Sequence, residues 1–212
     1  MVPTRLADGS IEALKWLGLL LMVLDHVNAH LLGGRVAPMY AAGRVVMPLF
    51  SALLACNLAR GTPGAAWRTA RRAVLFGLLA TPAFWALHGS WWPLNIMFTL
   101  ATGAAAIALL QAGQPLLALS LGLAAGYVVE FWWPAIGATV AAWAWWRSPS
   151  WRSALAWCAC MSLVCLLNGD AWAFAVVPLV AAAARLPVRT RRLRWVFYAA
   201  YPAHLIVLWS LQ

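Results

Sequence analysis

The chain has 212 residues, of which 65% are hydrophobic and only 9% are charged, and it carries a formal net charge of +10 at pH 7. Apolar windows recur from end to end, which excludes a water-soluble protein of one or two ordinary domains and predicts an integral membrane protein. The basic residues stand in short runs between apolar segments, so the excess charge reads as a topology signal and not as a nucleic-acid surface.

Taking roughly 20 residues as a full span, and admitting shorter ones that tilt or thin the bilayer, about nine spans follow in order. They lie near 12–32, 39–59, 73–88, 94–111, 115–130, 134–146, 153–167, 171–184 and 195–211. The expected fold is all-α, a polytopic helical bundle forming a single transmembrane domain over 1–212. The stretch 115–146 has two readings, because EFWWPAIG fits either a turn between two spans or a kink within one re-entrant unit.

If the spans alternate, the arginine-rich connections share one side: Arg60, Arg68, Arg71 and Arg72, then Arg147 and Arg152, then the run from Arg185 to Arg194. The positive-inside rule then puts the N-terminus in the cytoplasm and the C-terminus outside. A cleaved signal peptide is the rival for the first span. Asp25 and His26 interrupt the place where a small-residue cleavage site belongs, and nothing after residue 33 resembles a secreted domain.

Within the first span, LMVLDHVNAH sets a carboxylate beside an imidazole. An ionisable group inside a span costs at least about 2.5 to 3.5 kcal/mol, so it faces a bundle interior or wet cavity and has a partner. Lys15 precedes His26 by about three helical turns, or roughly 16 Å, placing both on one stripe with Met22 between them and His30 a turn beyond. Asp25 is rotated about 100° away, toward a neighbouring helix. A structural role is also open: Asp25 and His26 as the hydrated cap of the span, and Lys15 as a snorkelling interfacial residue.

The second span opens with Arg44, which cannot shed its charge and needs an anion or carbonyls. Asp25 is its expected partner across the same side. Asn95 opens the fourth span with Thr99 a turn below. In the last span, Pro202 removes the amide that would bond the Tyr198 carbonyl, close to Tyr201 and His204. Together these groups predict a polar cavity in the outer half. Cys56, Cys158, Cys160 and Cys165 have no metal-ligand spacing and read as small buried packing residues. The tryptophan pairs at 91–92, 132–133 and 145–146 read as interfacial anchors.

Four segments, LKWLGLLLMVLDHVNAHLL, GRVVMPLFSALLA, LNIMFTLATG and FYAAYPAHLIVL, resemble the most recognisable blocks of the TraX family. These are membrane proteins of conjugative plasmids linked to N-terminal acetylation of pilin. The resemblance is colinear over nearly the whole chain and departs at 127–140, where YVVEFWWPAIG replaces an acidic-Tyr-Gly pattern. Lys15, His26 and the Arg44 block are also distantly similar to the opening of the membrane acyltransferase-3 superfamily.

The resemblance implies an inner-membrane enzyme that moves an acetyl group from cytoplasmic acetyl-CoA to a pilin subunit, with no metal and no nucleic acid. His26 is then the expected base, oriented by Asp25, with His204 as a second candidate base. Arg44, or a neutral donor such as Asn95 or Tyr201, would hold developing charge. Lys15, Arg68, Arg71, Arg72 and the 189–194 run would meet the CoA, and Asn95, Thr99, Tyr198 and Tyr201 would contact the acceptor. No Ser or Cys stands beside a His, which favours direct transfer. Two other classes remain open: a proton-coupled transporter, and a non-catalytic pilus-assembly subunit.

Overall fold

In the computed structural model the described residues are 6–186, 188, 190 and 193–212. They form helices joined by short connections: α1 (Asp8–His30), α2 (Ala37–Arg44), α3 (Val46–Ala59), α4 (Ala65–His88), α5 (Ile96–Gln111), α6 (Pro115–Gly126), α7 (Trp132–Arg147), α8 (Trp151–Asn168), a 3-10 turn (Trp172–Ala175) running into α9 (Val176–Arg185), and α10 (Arg194–Ser210). Among the described residues there is no β-strand, only an isolated parallel bridge between Leu94 and Val129. The fold is all-α, as the apolar windows predict. Two helical stretches, Ala37–Ala59 and Trp151–Asn168, are long and apolar enough to cross a membrane.

Local chemistry sets the ends. The connection after α1 turns through Gly33 and Gly34 at φ 63° and 72°, a region glycine enters without steric cost. Buried Asn28 holds that turn by accepting from the Val36 amide at 2.9 Å. The predicted span 39–59 is broken at Val45. Pro48 has no N–H for the Arg44 carbonyl four residues back, so the helical ladder lapses there and restarts as α3. Helix α4 begins eight residues ahead of the predicted 73, since arginine propagates a helix well and a hydropathy window trims it.

The stretch 115–146 resolves into two helices and a turn. After Gly126 the chain turns through 127–131, with Phe131 and Trp132 both in the left-handed region, at φ 58° and 50°. Non-glycine residues enter that region only when their surroundings hold them there. The connection before α5 zips onto this turn: the Leu94 amide donates to the Val128 carbonyl at 2.6 Å, and the Glu130 amide donates to the Leu94 carbonyl at 3.0 Å.

Helix α3 is the central element. Leu49, Leu53, Ala55 and Cys56 are buried, and α1, α5 and α7 pack around it. Helix α4 packs between α5 and α10, while α8 lies against α7. The interior is made of small residues: Ala80, Ala104, Ala135 and Ala138 are fully buried. A Cβ on Gly103 would lie 2.9 Å from Thr139 Cγ2, so the missing side chain lets α5 and α7 meet closely. Large apolar residues point outward instead, with Leu116 78%, Leu166 76% and Trp151 72% exposed.

The cysteines depart from expectation. Only Cys56 is buried; Cys158 is exposed and Cys160 and Cys165 are partly buried, because α8 offers most of its circumference to the outside. Trp91, Trp92, Trp132 and Trp133 are exposed, at or beside helix ends.

Candidate active site

Helices α1 and α10 run in the same direction. Trp16 meets Phe197 edge-on at 5.0 Å near their N-terminal halves, and His26 meets His204 further along. Among α1, α3, α4, α5 and α10 lies a cavity of about 650 Å³. One end is basic, lined by Lys15, Arg60, Arg68 and Arg72 with Asp8. The rest is mostly apolar, through Leu19, Phe50, Leu53 and Leu100 to Met22, Ile96 and Tyr201. Lys15, Leu19 and Met22 are successive residues on the stripe of α1 read from the sequence, and His26 is the next.

The basic end is partly neutralised. Lys15 Nζ bonds Glu12 Oε1 at 2.5 Å and sits over the Phe197 ring. Arg60 pairs with Asp8 at 3.1 Å and donates to the Leu6 carbonyl. Arg68 donates to Thr62 Oγ1 and the Pro63 carbonyl, and Arg72 lies over the Trp195 ring. Arg71 is not on this cavity. It is exposed and lines a separate groove with Trp67 and Val74, since one residue of helix turns it about 100° from Arg72. Arg189, Arg191 and Arg192 lie outside the described residues.

Outside the cavity, Arg44 Nη2 donates to Asp25 Oδ2 at 2.9 Å, with side chains 19% and 15% exposed. Gly43 makes room for this pair: any Cβ there would strike the Asp25 carboxylate. Arg44 also lies over the Tyr40 ring, and the Tyr40 hydroxyl donates to the Asn168 carbonyl. The expected Asp25–Arg44 partnership is present. Asp25 makes no hydrogen bond with His26, because a helix turns successive side chains apart and Arg44 takes the carboxylate.

His26 is held by His204. Their rings stack at 4.9 Å, with His26 Nδ1 2.6 Å from His204 Nε2. His204 Nδ1 donates to the Ala200 carbonyl at 2.9 Å, so its Nε2 is the accepting nitrogen and His26 Nδ1 is the donor. His26 Nε2 then carries a lone pair. This is the arrangement of a neutral base fixed in one tautomer. The pair sits one turn beyond the cavity's inner end on both helices, past Met22 on α1 and past Tyr201 on α10.

Tyr201 is buried and lines the cavity, edge-on to His204 at 5.4 Å. Tyr198 also lines it and stacks on Phe76 at 5.5 Å. Asn95 and Thr99 have other partners. Asn95 caps α5 by accepting from the Met97 amide, and its amide group donates to the Gly77 carbonyl of α4. Thr99 donates to the Glu130 carbonyl at 2.8 Å. Both are buried and neither lines the cavity.

Two residues were not singled out from the sequence as part of the site. Arg60 looked only like an orientation signal. Glu130 looked like a stray acid in a connection, yet its carboxyl and the Tyr201 hydroxyl both lie within interaction range of the Ile96 amide at the start of α5. The adjoining left-handed Phe131 and Trp132 were the available signal only once backbone angles were known. Among the described residues no group of three or more His, Cys, Asp or Glu is arranged to hold a metal.

Fold and site together define an all-helical protein whose internal cavity is basic at one end and stops one helical turn short of a hydrogen-bonded histidine pair that does not itself line it. Residues 10–212 match the family model described as TraX protein, and the chain belongs to the TraX family, which is linked to conjugative pilin processing. No curated protein and no solved structure matches it.

Proposed function

We propose that this protein is a multi-pass protein of the bacterial inner membrane that acetylates the N-terminal amine of a conjugative pilin with acetyl-CoA as donor. The observation that carries this reading is the cavity among α1, α3, α4, α5 and α10, with its cationic rim and apolar throat, and the histidine pair one helical turn past its far end. A CoA thioester has the complementary form: phosphates at one end, a thin uncharged arm, and the reacting carbonyl at the tip.

Several features support the membrane setting. Leucines and tryptophans on α4, α6, α8 and α10 face outward around an alanine-rich interior, the pattern of helices packed in lipid. With the arginine-rich connections in the cytoplasm, the cavity's basic rim opens toward the compartment that makes acetyl-CoA. The histidine end then lies on the outer side, where removal of a pilin leader exposes a new amine.

The donor supplies an activated thioester carbonyl. Arg60, Arg68 and Arg72 offer charge-assisted donors to its phosphates. His26 Nε2 takes a proton from the attacking amine, and His204 keeps that nitrogen unprotonated beforehand by accepting at the other side of the His26 ring. The Tyr201 side chain, which lines the inner end of the cavity, would supply a neutral hydroxyl donor for charge on the acyl oxygen. As the nitrogen–carbon bond forms and the carbon–sulfur bond breaks, the thiolate leaves and is protonated. The test is transfer of label by the purified protein from acetyl-labelled acetyl-CoA to a peptide with a free pilin N-terminus. Label in the peptide supports the reading. No transfer to that peptide, or to intact pilin, contradicts it and favours a carrier or an assembly subunit.

A further inference from the structure

The groove that Arg71 lines lies on the outside of the bundle. Trp67, Arg71 and Val74 of α4 border it as one exposed helical stripe, and Leu121 of α6 faces them. Helix α5 packs against both α4 and α6 and forms the floor, through Phe98 and Ala105. From Gly64, just before α4, to Val74 the groove is roughly 15 Å long. Helix α6 buries only Ala118 and Gly126 of its 12 residues, so its own packing leaves this channel open along α5.

The charges of the groove are unanswered within the protein. The chain has five acidic residues. Asp8, Glu12 and Asp25 are paired with Arg60, Lys15 and Arg44. Glu130 lies against the start of α5, and Asp170, beyond α8, accepts from the Trp172 amide. None of the five lines the groove or pairs with Arg71. Arg68 lines the groove and the cavity alike, and its partners, Thr62 Oγ1 and the Pro63 carbonyl, are neutral. Two permanent cations thus stand at an apolar channel that has no anion of its own, and a guanidinium fits a phosphate well.

We propose, on the membrane placement given above and independently of the transferase chemistry, that this groove holds one anionic phospholipid of the cytoplasmic leaflet. Its phosphate lies on Arg71 and Arg68, and an acyl chain runs along α5 between α4 and α6. That placement sets the arginine-rich start of α4 at the cytoplasmic surface, where anionic headgroups collect and where a tryptophan such as Trp67 sits well. A zwitterionic headgroup brings its own cation, which no carboxylate in the groove would receive. The site therefore selects a headgroup of net negative charge.

The test titrates phosphatidylglycerol or phosphatidylcholine into the full chain in an uncharged detergent, with bound lipid counted by native mass spectrometry. The wild type binds one phosphatidylglycerol at least about tenfold more tightly than phosphatidylcholine. Arg71→Ala weakens phosphatidylglycerol binding by at least about fivefold and leaves phosphatidylcholine unchanged. Arg152→Ala, which removes an equal charge beside Trp151 at the start of α8, changes neither. Equal affinity for the two lipids, or an equal loss in both variants, would overturn the site. Displacement of phosphatidylglycerol by an equal concentration of inorganic phosphate would overturn it too, since the headgroup alone would then account for binding. Recovery of the wild-type chain in the soluble fraction of lysed cells would overturn the membrane placement and the lipid site together. A chain in the membrane fraction that shows no lipid preference overturns the site alone.

Discussion

The two ends of α1 each carry an acid close to a base and use them in opposite ways. At the first end Glu12 and Lys15 are three residues apart on one face and bond each other, so the pair is satisfied within its own helix. At the far end Asp25 and His26 are adjacent, point in different directions and find partners on α2 and α10. A helix therefore neutralises charges spaced by a turn and exports charges that are neighbours in sequence. The first arrangement leaves a rim residue with a tethered charge, whereas the second ties three helices together around an imidazole.

The comparison breaks most completely at His26. His26→Ala is expected to lower acetyl transfer by at least about a hundredfold while the protein still inserts, measured as label transferred per mole of folded protein. The Asp25 pair should fail differently. Asp25→Ala leaves Arg44 without its carboxylate and is expected to cost about 3 to 5 kcal/mol of stability, seen as a lowered unfolding midpoint in detergent. Replacing both members by apolar residues of similar volume should recover much of that loss, because no unpaired charge then remains.

The rim sharpens the contrast with smaller effects. Arg68→Ala and Arg72→Ala are each expected to raise the KM for acetyl-CoA by about tenfold with little change in kcat, the signature of lost donor binding. Lys15→Ala should raise KM by less, since Glu12 already holds its ammonium. Arg71→Ala, off the cavity, is expected to leave KM within about twofold of wild type. Titrating acetyl-CoA against the four variants orders them, and an Arg71 effect as large as that of Arg72 would contradict the assignment of the cavity.

Much of this was legible in the sequence, for definable reasons. Apolar windows located the helical segments, with α2 and α3 merged into one, and the helical period placed Lys15, Met22 and His26 on one stripe. The need of a permanent cation for an anion joined Arg44 to Asp25. What stayed hidden was which helical faces meet. Nothing in the spacing joins His26 to His204, 178 residues away. Grouping Asn95 with the polar residues of the last span also pointed to a cavity that Asn95 does not line. An asparagine directly before an apolar run is an N-cap signal, and it pointed to the structural role that Asn95 has. Glu130 escaped notice because its importance comes from a turn that doubles back against the start of α5.

The most direct measurement is the intact mass of the pilin made in cells with this protein, without it, and with a His26→Ala variant shown to reach the membrane. The account predicts a gain of one acetyl group with the wild-type protein alone. An unchanged mass in all three, or an acetyl group retained with the variant, would contradict it.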